Sequence, residues 1–440
     1  MVSIRHAQFI MLLVSSVLLS ACAEKEVILP GERIAITADN NVDLSPDAEA
    51  AGENAGLAAI STNTAFTAPG QTPDHGGGHL SLDLPLDRIF STRVGIAADP
   101  STEMAQPVAQ GNAVYTITHG GIVTATNAAD GSTLWQVDID PSSDKTQTST
   151  SGGIAIADGD VIVHASKEAL FSLKADTGQE NWRIEFPVFL ADGPTVSDGV
   201  IIFTDLDGKL YALSQTDGEL LWSRIGTQDA TRITGASFPA INGNEVIASG
   251  GDGEVLSLSL NQGEFLWGEN LTPLRLNTAL DSIPDLRTHP IHDGGLVFIA
   301  TPSANIYAFN AKTGREVWQK PLRVLEMPWL SGQTLYMTTI DGRLYALRRQ
   351  DGAVRWMVEL PGAYDPNLSV SEDTIRYTSP IVVSGQVLVA SSQGRLLSFD
   401  AMSGAAGENI SIGKPVTTAP IVANNTLYIL TRSGQLMAWQ

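Results

Sequence analysis

Residues 193–222 read GPTVSDGVIIFTDLDGKLYALSQTDGELLW, and they hold the unit from which the rest of the chain is built. Gly193-Pro194-Thr195-Val196 opens a short apolar segment, and Gly199 separates it from a second apolar strand, Val200–Thr204. After Asp207-Gly208 a third strand, Lys209–Leu213, alternates its apolar residues. Asp217-Gly218 then turns the chain into Leu220-Leu221-Trp222. Asp-Gly between alternating segments favours a tight hairpin, because glycine accepts a positive φ at no steric cost. Proline lacks a donor N–H and is tolerated where a strand begins but not inside a ladder. The unit therefore reads as four short antiparallel strands.

The unit recurs. Its Gly-x-x-x-Trp element returns at Gly131/Trp135, Gly178/Trp182, Gly218/Trp222, Gly263/Trp267, Gly314/Trp318 and Gly352/Trp356, with Gly404 in register but Glu408 in place of the tryptophan. The opening proline gives an independent count at Pro107, Pro194, Pro239, Pro290, Pro328, Pro380 and Pro420, and Gly153-Ile154 stands at the matching place of the second copy. That makes eight units. A four-stranded sheet repeated every 40 or so residues is a propeller blade. The last copy stops at Leu436–Gln440, before an outer strand, whereas Ile89-Phe90-Ser91 near the front resembles Leu221-Trp222-Ser223. The expected fold is therefore all-β: an eight-bladed β-propeller of four-stranded antiparallel blades over residues 81–440, its ring closed by an N-terminal strand.

The first 80 residues read differently. Arg5 and His6 precede an apolar run of 11 residues, Phe9–Leu19, that leads to Leu19-Ser20-Ala21-Cys22. The run is too short to span a bilayer, which takes roughly 20 residues, and suits a signal peptide over residues 1–21. Cys22 is the sole cysteine; it ends what looks like a lipobox and is the expected lipidation site, so the mature chain would hold the membrane by acyl chains. Ala23 after the cysteine, by resemblance to Gram-negative lipoproteins, implies the outer membrane with the body facing the periplasm. Residues 22–80, rich in Ala, Gly, Asn, Asp and Thr, are expected to form a lipidated flexible tether. His75-Gly-Gly-Gly-His79 is read as linker rather than as a metal clamp.

With 26 Lys plus Arg against 48 Asp plus Glu, the net charge is −22. Such a surface repels phosphate, and nucleic acid is not an expected partner. GxSxG, HExxH, Walker and GxGxxG signatures are missing; Gly208-Lys209 and Gly413-Lys414 continue with Leu and Pro. Most of the carboxylate pairs Asp138/Asp140, Asp205/Asp207 and Glu372/Asp373 lie in or next to repeat turns, where local backbone hydrogen bonding favours Asp, and Asp205–Gly208 is only a fragment of a calcium loop. His119, His164, His289 and His292 are scattered, the last two flanking Pro290 as loop residues. Trp329 and Trp439 stand outside the repeat register. No catalytic residue, metal ligand or cofactor site is expected. The six register tryptophans, Trp135, Trp182, Trp222, Trp267, Trp318 and Trp356, are read as packing between blades, each indole N–H going to a neighbouring carbonyl.

The signature in Lys174–Trp182 and Asn310–Trp318 resembles the tryptophan-docking repeat of pyrroloquinoline-quinone propellers. Quinoprotein dehydrogenases of that class carry an adjacent cysteine pair, calcium ligands and a catalytic Asp, and one cysteine cannot make the pair. Lipobox, tether and eight such blades together resemble the outer-membrane protein assembly factor BamB family. The resemblance implies a non-enzymatic scaffold of the β-barrel assembly machinery that docks on the periplasmic POTRA domains of the barrel subunit BamA. It also implies, as partners, the other lipoproteins of that machinery and unfolded outer-membrane clients. A family docking loop aligns with Thr231-Arg232-Ile233-Thr234 and the residues up to Pro239, and a second with Asp285-Leu286-Arg287 up to Pro290. Here Thr234 takes the place of the family arginine and Arg287 that of an acid, so the charges of the implied interface differ. The alternative is a periplasmic quinoprotein-like enzyme or small-ligand-binding propeller using the central channel.

Overall fold

The computed structural model describes residues 44–97, 104–118, 120–140, 152–165, 168–190, 193–205, 208–225, 237–249, 253–271, 288–301, 305–362 and 375–440. Its sheets form an eight-bladed propeller of antiparallel blades. Blade three shows the plan: an innermost strand β11 (Thr195–Ser197), then β12 (Val200–Thr204), β13 (Lys209–Ser214) and an outer strand β14 (Leu220–Ile225). The innermost strands of the other blades are β3 (Val108–Gln110), β7 (Gly153–Ala157), β15 (Ala240–Asn242), β19 (Ile291–His292), β23 (Trp329–Ser331), β27 (Ile381–Val383) and β31 (Ile421–Ala423). Seven of the eight begin directly after one of the repeat prolines. The exception is β7, which has no proline and runs two residues further back into its ladder, pairing Ile154 with Val163 and Gly153 with His164. A missing N–H ends the ladder in seven blades, and its presence extends it in the eighth.

The ring closes as its sequence implies. Strand β2 (Arg88–Arg93) completes the last blade by pairing antiparallel with β33 (Gln435–Trp439), in the order β2-β33-β32-β31, where β32 is Thr426–Thr431. Phe90 faces Ala438 just as Trp222 faces Ala212 in blade three, so Phe90 occupies the tryptophan position of the eighth blade.

Six of the blade contacts repeat one geometry. The indole Nε1 donates to a carbonyl of the following blade: Trp135 to Ala175 at 2.8 Å, Trp182 to Gln215 at 3.0 Å, Trp222 to Leu260 at 2.8 Å, Trp267 to Ala311 at 2.6 Å, Trp318 to Arg349 at 2.9 Å and Trp356 to Ala401 at 3.1 Å. The repeat glycine of that following blade lies under the ring. Gly314, at φ +69°, leaves no room for a β-carbon, which would stand 2.7 Å from the Trp267 ring. Both the left-handed backbone and the close approach require glycine there. Phe90 lies in the same way on Gly131 of blade one. Blade seven carries Glu408 at the position of the indole.

The segment before β2 departs from the expected flexible tether. Residues 22–43 lie outside the described residues, but from Leu44 onward the chain packs in one unit with the propeller. A short helix, Ala48–Ala51, follows Asp47, whose N–H bonds Val354 O at 2.8 Å. Phe66, Leu80 and Leu82 are buried, each contributing about 1.5–3 kcal/mol. Strand β1 (Ala65–Phe66) adds to β3 as a fifth strand of blade one. The glycine run that reads as linker is glycine for closeness: at Gly77, φ +71°, a β-carbon would sit 2.9 Å from Leu330 O and from the Trp329 ring. Low apolar content is the mark of a flexible chain only when the backbone is left in water, and here its polar groups are bonded to strand ends.

Candidate functional site

In an antiparallel meander, the turns after innermost strands share a face with the turns before outer strands. The connections from an outer strand to the next blade leave from the opposite face. The six residues of the two candidate docking loops, Thr231, Arg232, Ile233, Thr234, Asp285 and Arg287, lie outside the described residues, as does Cys22. Their roots are described. One loop leaves blade three after Ile225, which is 77% exposed, and re-enters at Ser237; the other leaves after Leu271 and re-enters at Thr288. The two roots are tied together. Ser237 Oγ donates to Thr288 O at 3.0 Å, Phe238 N–H donates to His289 Nδ1 at 3.1 Å, and the Phe238 and His289 rings meet edge to face at 4.8 Å. The re-entry roots of the two loops, at the heads of blades four and five, therefore lie side by side.

His289 is a loop residue as its sequence implies, whereas His292, read in the same way, lies in a strand. His292 lies in β19, buried, with Nε2 3.0 Å from Glu245 Oε2. Ser257 Oγ and Trp267 Nε1 also donate to the Glu245 carboxylate. Burial alone would raise the pKa of that carboxyl, but the hydrogen bonds of His292, Ser257 and Trp267 hold it below the usual range. His75 is completely buried; its Nδ1 donates to Pro290 O at 2.8 Å and its ring lies 5.8 Å from that of His289. Burial pushes His75 down to about 4, against the opposing effects of the Pro290 carbonyl and Asp74. Burial, and then the neighbouring His75, hold His289 well below the ordinary histidine value. Both rings are neutral near pH 7.

The turn carboxylates bond locally. Asp138 Oδ1 accepts the Asp140 N–H at 3.0 Å, and Asp205 accepts Lys209 N–H at 2.9 Å and Tyr211 Oη at 2.8 Å. Asp207, Glu372, Asp373 and His119 lie outside the described residues. Among the described residues no group of three or more His, Cys, Asp or Glu is placed to hold a metal ion, and no helix is long and apolar enough to cross a membrane.

The role of Trp329 is hidden by its place outside the repeat register. It begins innermost strand β23, is buried, stacks on Phe66 at 6.5 Å and donates Nε1 to Gly78 O at 2.8 Å. One mouth of the central channel is thus filled by the chain's own residues. The residues present do not fit a quinone with its calcium ion: that mouth is closed, and the single cysteine cannot supply a cysteine pair.

A closed eight-bladed ring with tryptophan docking and two joined loop roots defines a PQQ-like propeller. The family model for outer membrane protein assembly factor BamB matches residues 104–358 and 369–440, and the chain belongs to that family. Among curated relatives, the BamB of Yersinia pestis is 25% identical over 361 residues, covering 80% of this chain and 88% of the relative. That of Salmonella typhimurium is 26% identical over 357 residues, with the same coverages of 80% and 88%. The crystal structure of BamB from Moraxella catarrhalis superposes with a TM-score of 0.67 at 19% identity, covering 81% of this chain and 100% of that one. A quinohemoprotein alcohol dehydrogenase from Comamonas testosteroni gives 0.65 at 13% identity, covering 86% and 80%. At such identities these two structures speak for the fold alone.

Proposed function

We propose that the chain is a non-enzymatic scaffold of outer-membrane β-barrel assembly, lipid-anchored at Cys22 to the outer membrane and facing the periplasm. It docks through Thr231, Arg232, Ile233, Thr234, Asp285 and Arg287, in the segments Thr231–Pro239 and Asp285–Pro290, onto the POTRA domains of a BamA-like barrel subunit, beside the other lipoproteins of the machinery, and aids the insertion of outer-membrane clients. The observation that carries this reading is family membership over most of the chain, together with loop roots joined by the Ser237–Thr288 hydrogen bond. Roots joined in this way start both segments from one place on the ring, which suits a single docked partner domain. The closed channel mouth and the lone cysteine speak against the quinoprotein alternative.

Affinity purification of the tagged chain from detergent-solubilised membranes tests it, with mass spectrometry of the co-purifying proteins. The barrel subunit is expected among them. Arg232→Glu and Arg287→Glu are each expected to lower its recovery roughly tenfold, about 1.4 kcal/mol of binding, with thermal stability unchanged. Repeated failure of the unaltered chain to recover a barrel subunit would sink the proposal. For the anchor, Cys22→Ser is expected to remove the acyl mass from the mature N-terminus and to move the chain into the soluble periplasmic fraction; acyl chains retained on the variant would refute the assignment.

A further inference from the structure

We infer that the channel mouth on the turn face is a binding site for an extended peptide, with residues Ser61–Leu82 of this chain as its resident ligand, latching the ring a second time. The segment bonds the innermost strands or their turns in seven of the eight blades. Gly111 N–H of blade one donates to Thr64 O at 3.1 Å, and Ile156 N–H of blade two to Thr67 O at 3.1 Å. Ile241 N–H of blade four donates to Pro73 O at 2.7 Å, and His292 N–H of blade five to Asp74 O at 2.9 Å. In blade six Leu330 O accepts Gly78 N–H at 2.8 Å; in blade seven Val382 O accepts Leu80 N–H at 3.0 Å; in blade eight Asn424 N–H donates to Asn63 O at 2.8 Å. Most are main-chain contacts on the open edge of innermost strands whose other edge is already paired within the blade, the chemistry by which sheets take up an added peptide.

Two side chains anchor the run and choose its register. Phe66 stacks on Trp329. His75 enters the channel as far as Pro290 O, two residues before the His292 N–H that bonds Asp74, and meets His289 there. His79 closes the run, donating Nδ1–H to Ala58 O at 2.9 Å while its Nε2 accepts Gly385 N–H at 2.7 Å. Strand β2 alone would close the ring at one seam, between first and last blades. A segment tied to seven blades opposes opening at every seam it crosses, and it releases only when many bonds break together.

Two measurements test the latch on the intact, folded protein. In the unaltered chain, hydrogen-exchange mass spectrometry is expected to show the amides of residues 61–82 protected as long as those of the innermost strands; exchange within seconds would overturn the inference. In the second, a protease site is placed in the exposed stretch at Asp83–Pro85 and cleaved after folding. The nicked segment is expected to stay with the body through gel filtration at neutral pH, and a labelled synthetic peptide of residues 57–84 in excess is expected not to replace it over hours. A segment that elutes apart from the body was held only by its covalent bond, and the site does not exist. Phe66→Ala in the nicked protein is expected to speed release at least tenfold; an unchanged release rate would remove the Trp329 anchor from the account.

Discussion

Replacing Trp318 by alanine is expected to destabilise the propeller by about 3–5 kcal/mol, the range for removing a large aromatic from a packed site. The indole is buried between blades five and six, tilted against Phe298 at 5.9 Å, and its Nε1 bonds Arg349 O at 2.9 Å. Trp318→Phe keeps most of the ring but leaves that carbonyl without its donor, and about 1–3 kcal/mol is expected. The half-buried Trp222 should give a smaller loss than Trp318 when truncated. Gly352→Ala tests the other half of the contact, because a β-carbon there would stand 2.7 Å from the Trp318 ring at a φ of +68°. Alone it is expected to be destabilising by about 1–3 kcal/mol. With Trp318→Ala already in place the clash part of that penalty should vanish, leaving only the cost of a β-carbon at positive φ. Denaturant unfolding of the four single variants and the double variant checks this; strict additivity would mean that glycine and indole are not one contact.

Acid should weaken the molecule through the buried histidines before its carboxylates are exhausted. His75 titrates at about 4 in the folded chain against an ordinary 6.5. Above pH 6.5 both folded and unfolded states hold it neutral, and it carries no penalty. As pH falls from about 6.5 to about 4 the unfolded chain binds the proton and the folded one does not, so stability drops, by about 3 kcal/mol in all. His289 acts in the same direction. His75→Asn cannot titrate. The unaltered chain should be the more stable of the two at pH 7.5, and its advantage should shrink by about 3 kcal/mol by pH 4. An advantage that stays constant with pH would show that His75 is not held neutral against the channel wall.

The blades were legible because their chemistry is repetitive and local. Proline at the head of seven innermost strands and glycine beneath six indoles each follow from a steric demand that returns with every blade. Phe90 could be placed for the same reason, since the last blade lacked an outer strand and the front of the chain offered one in register. The latch escaped because its contacts are of another kind. Residues 61–82 bond through main-chain groups and glycine-permitted closeness, neither of which produces an apolar period. A signal was nonetheless present. Where Trp329 stands, the other innermost strands carry Val108, Ala155, Thr195, Ala240, Ile291, Ile381 and Ile421. One bulky aromatic among small side chains around a channel indicates that something fills it. His75 and His289 were unreadable as a pair because 213 intervening residues separate them, and only the ring brings them together. The docking loops were reached through a family resemblance; the residues themselves announced no chemistry, and the structure contributes the joined roots at Ser237 and Thr288.

Under the proposed function this ring is a platform for a protein partner rather than the holder of a cofactor. Isothermal titration of the soluble body, residues 23–440, with purified POTRA domains of the barrel subunit from the same bacterium tests it most directly. Saturable one-to-one binding is predicted, while pyrroloquinoline quinone with calcium gives only heats of dilution. Saturable heat from the quinone, with none from the POTRA domains, would contradict it.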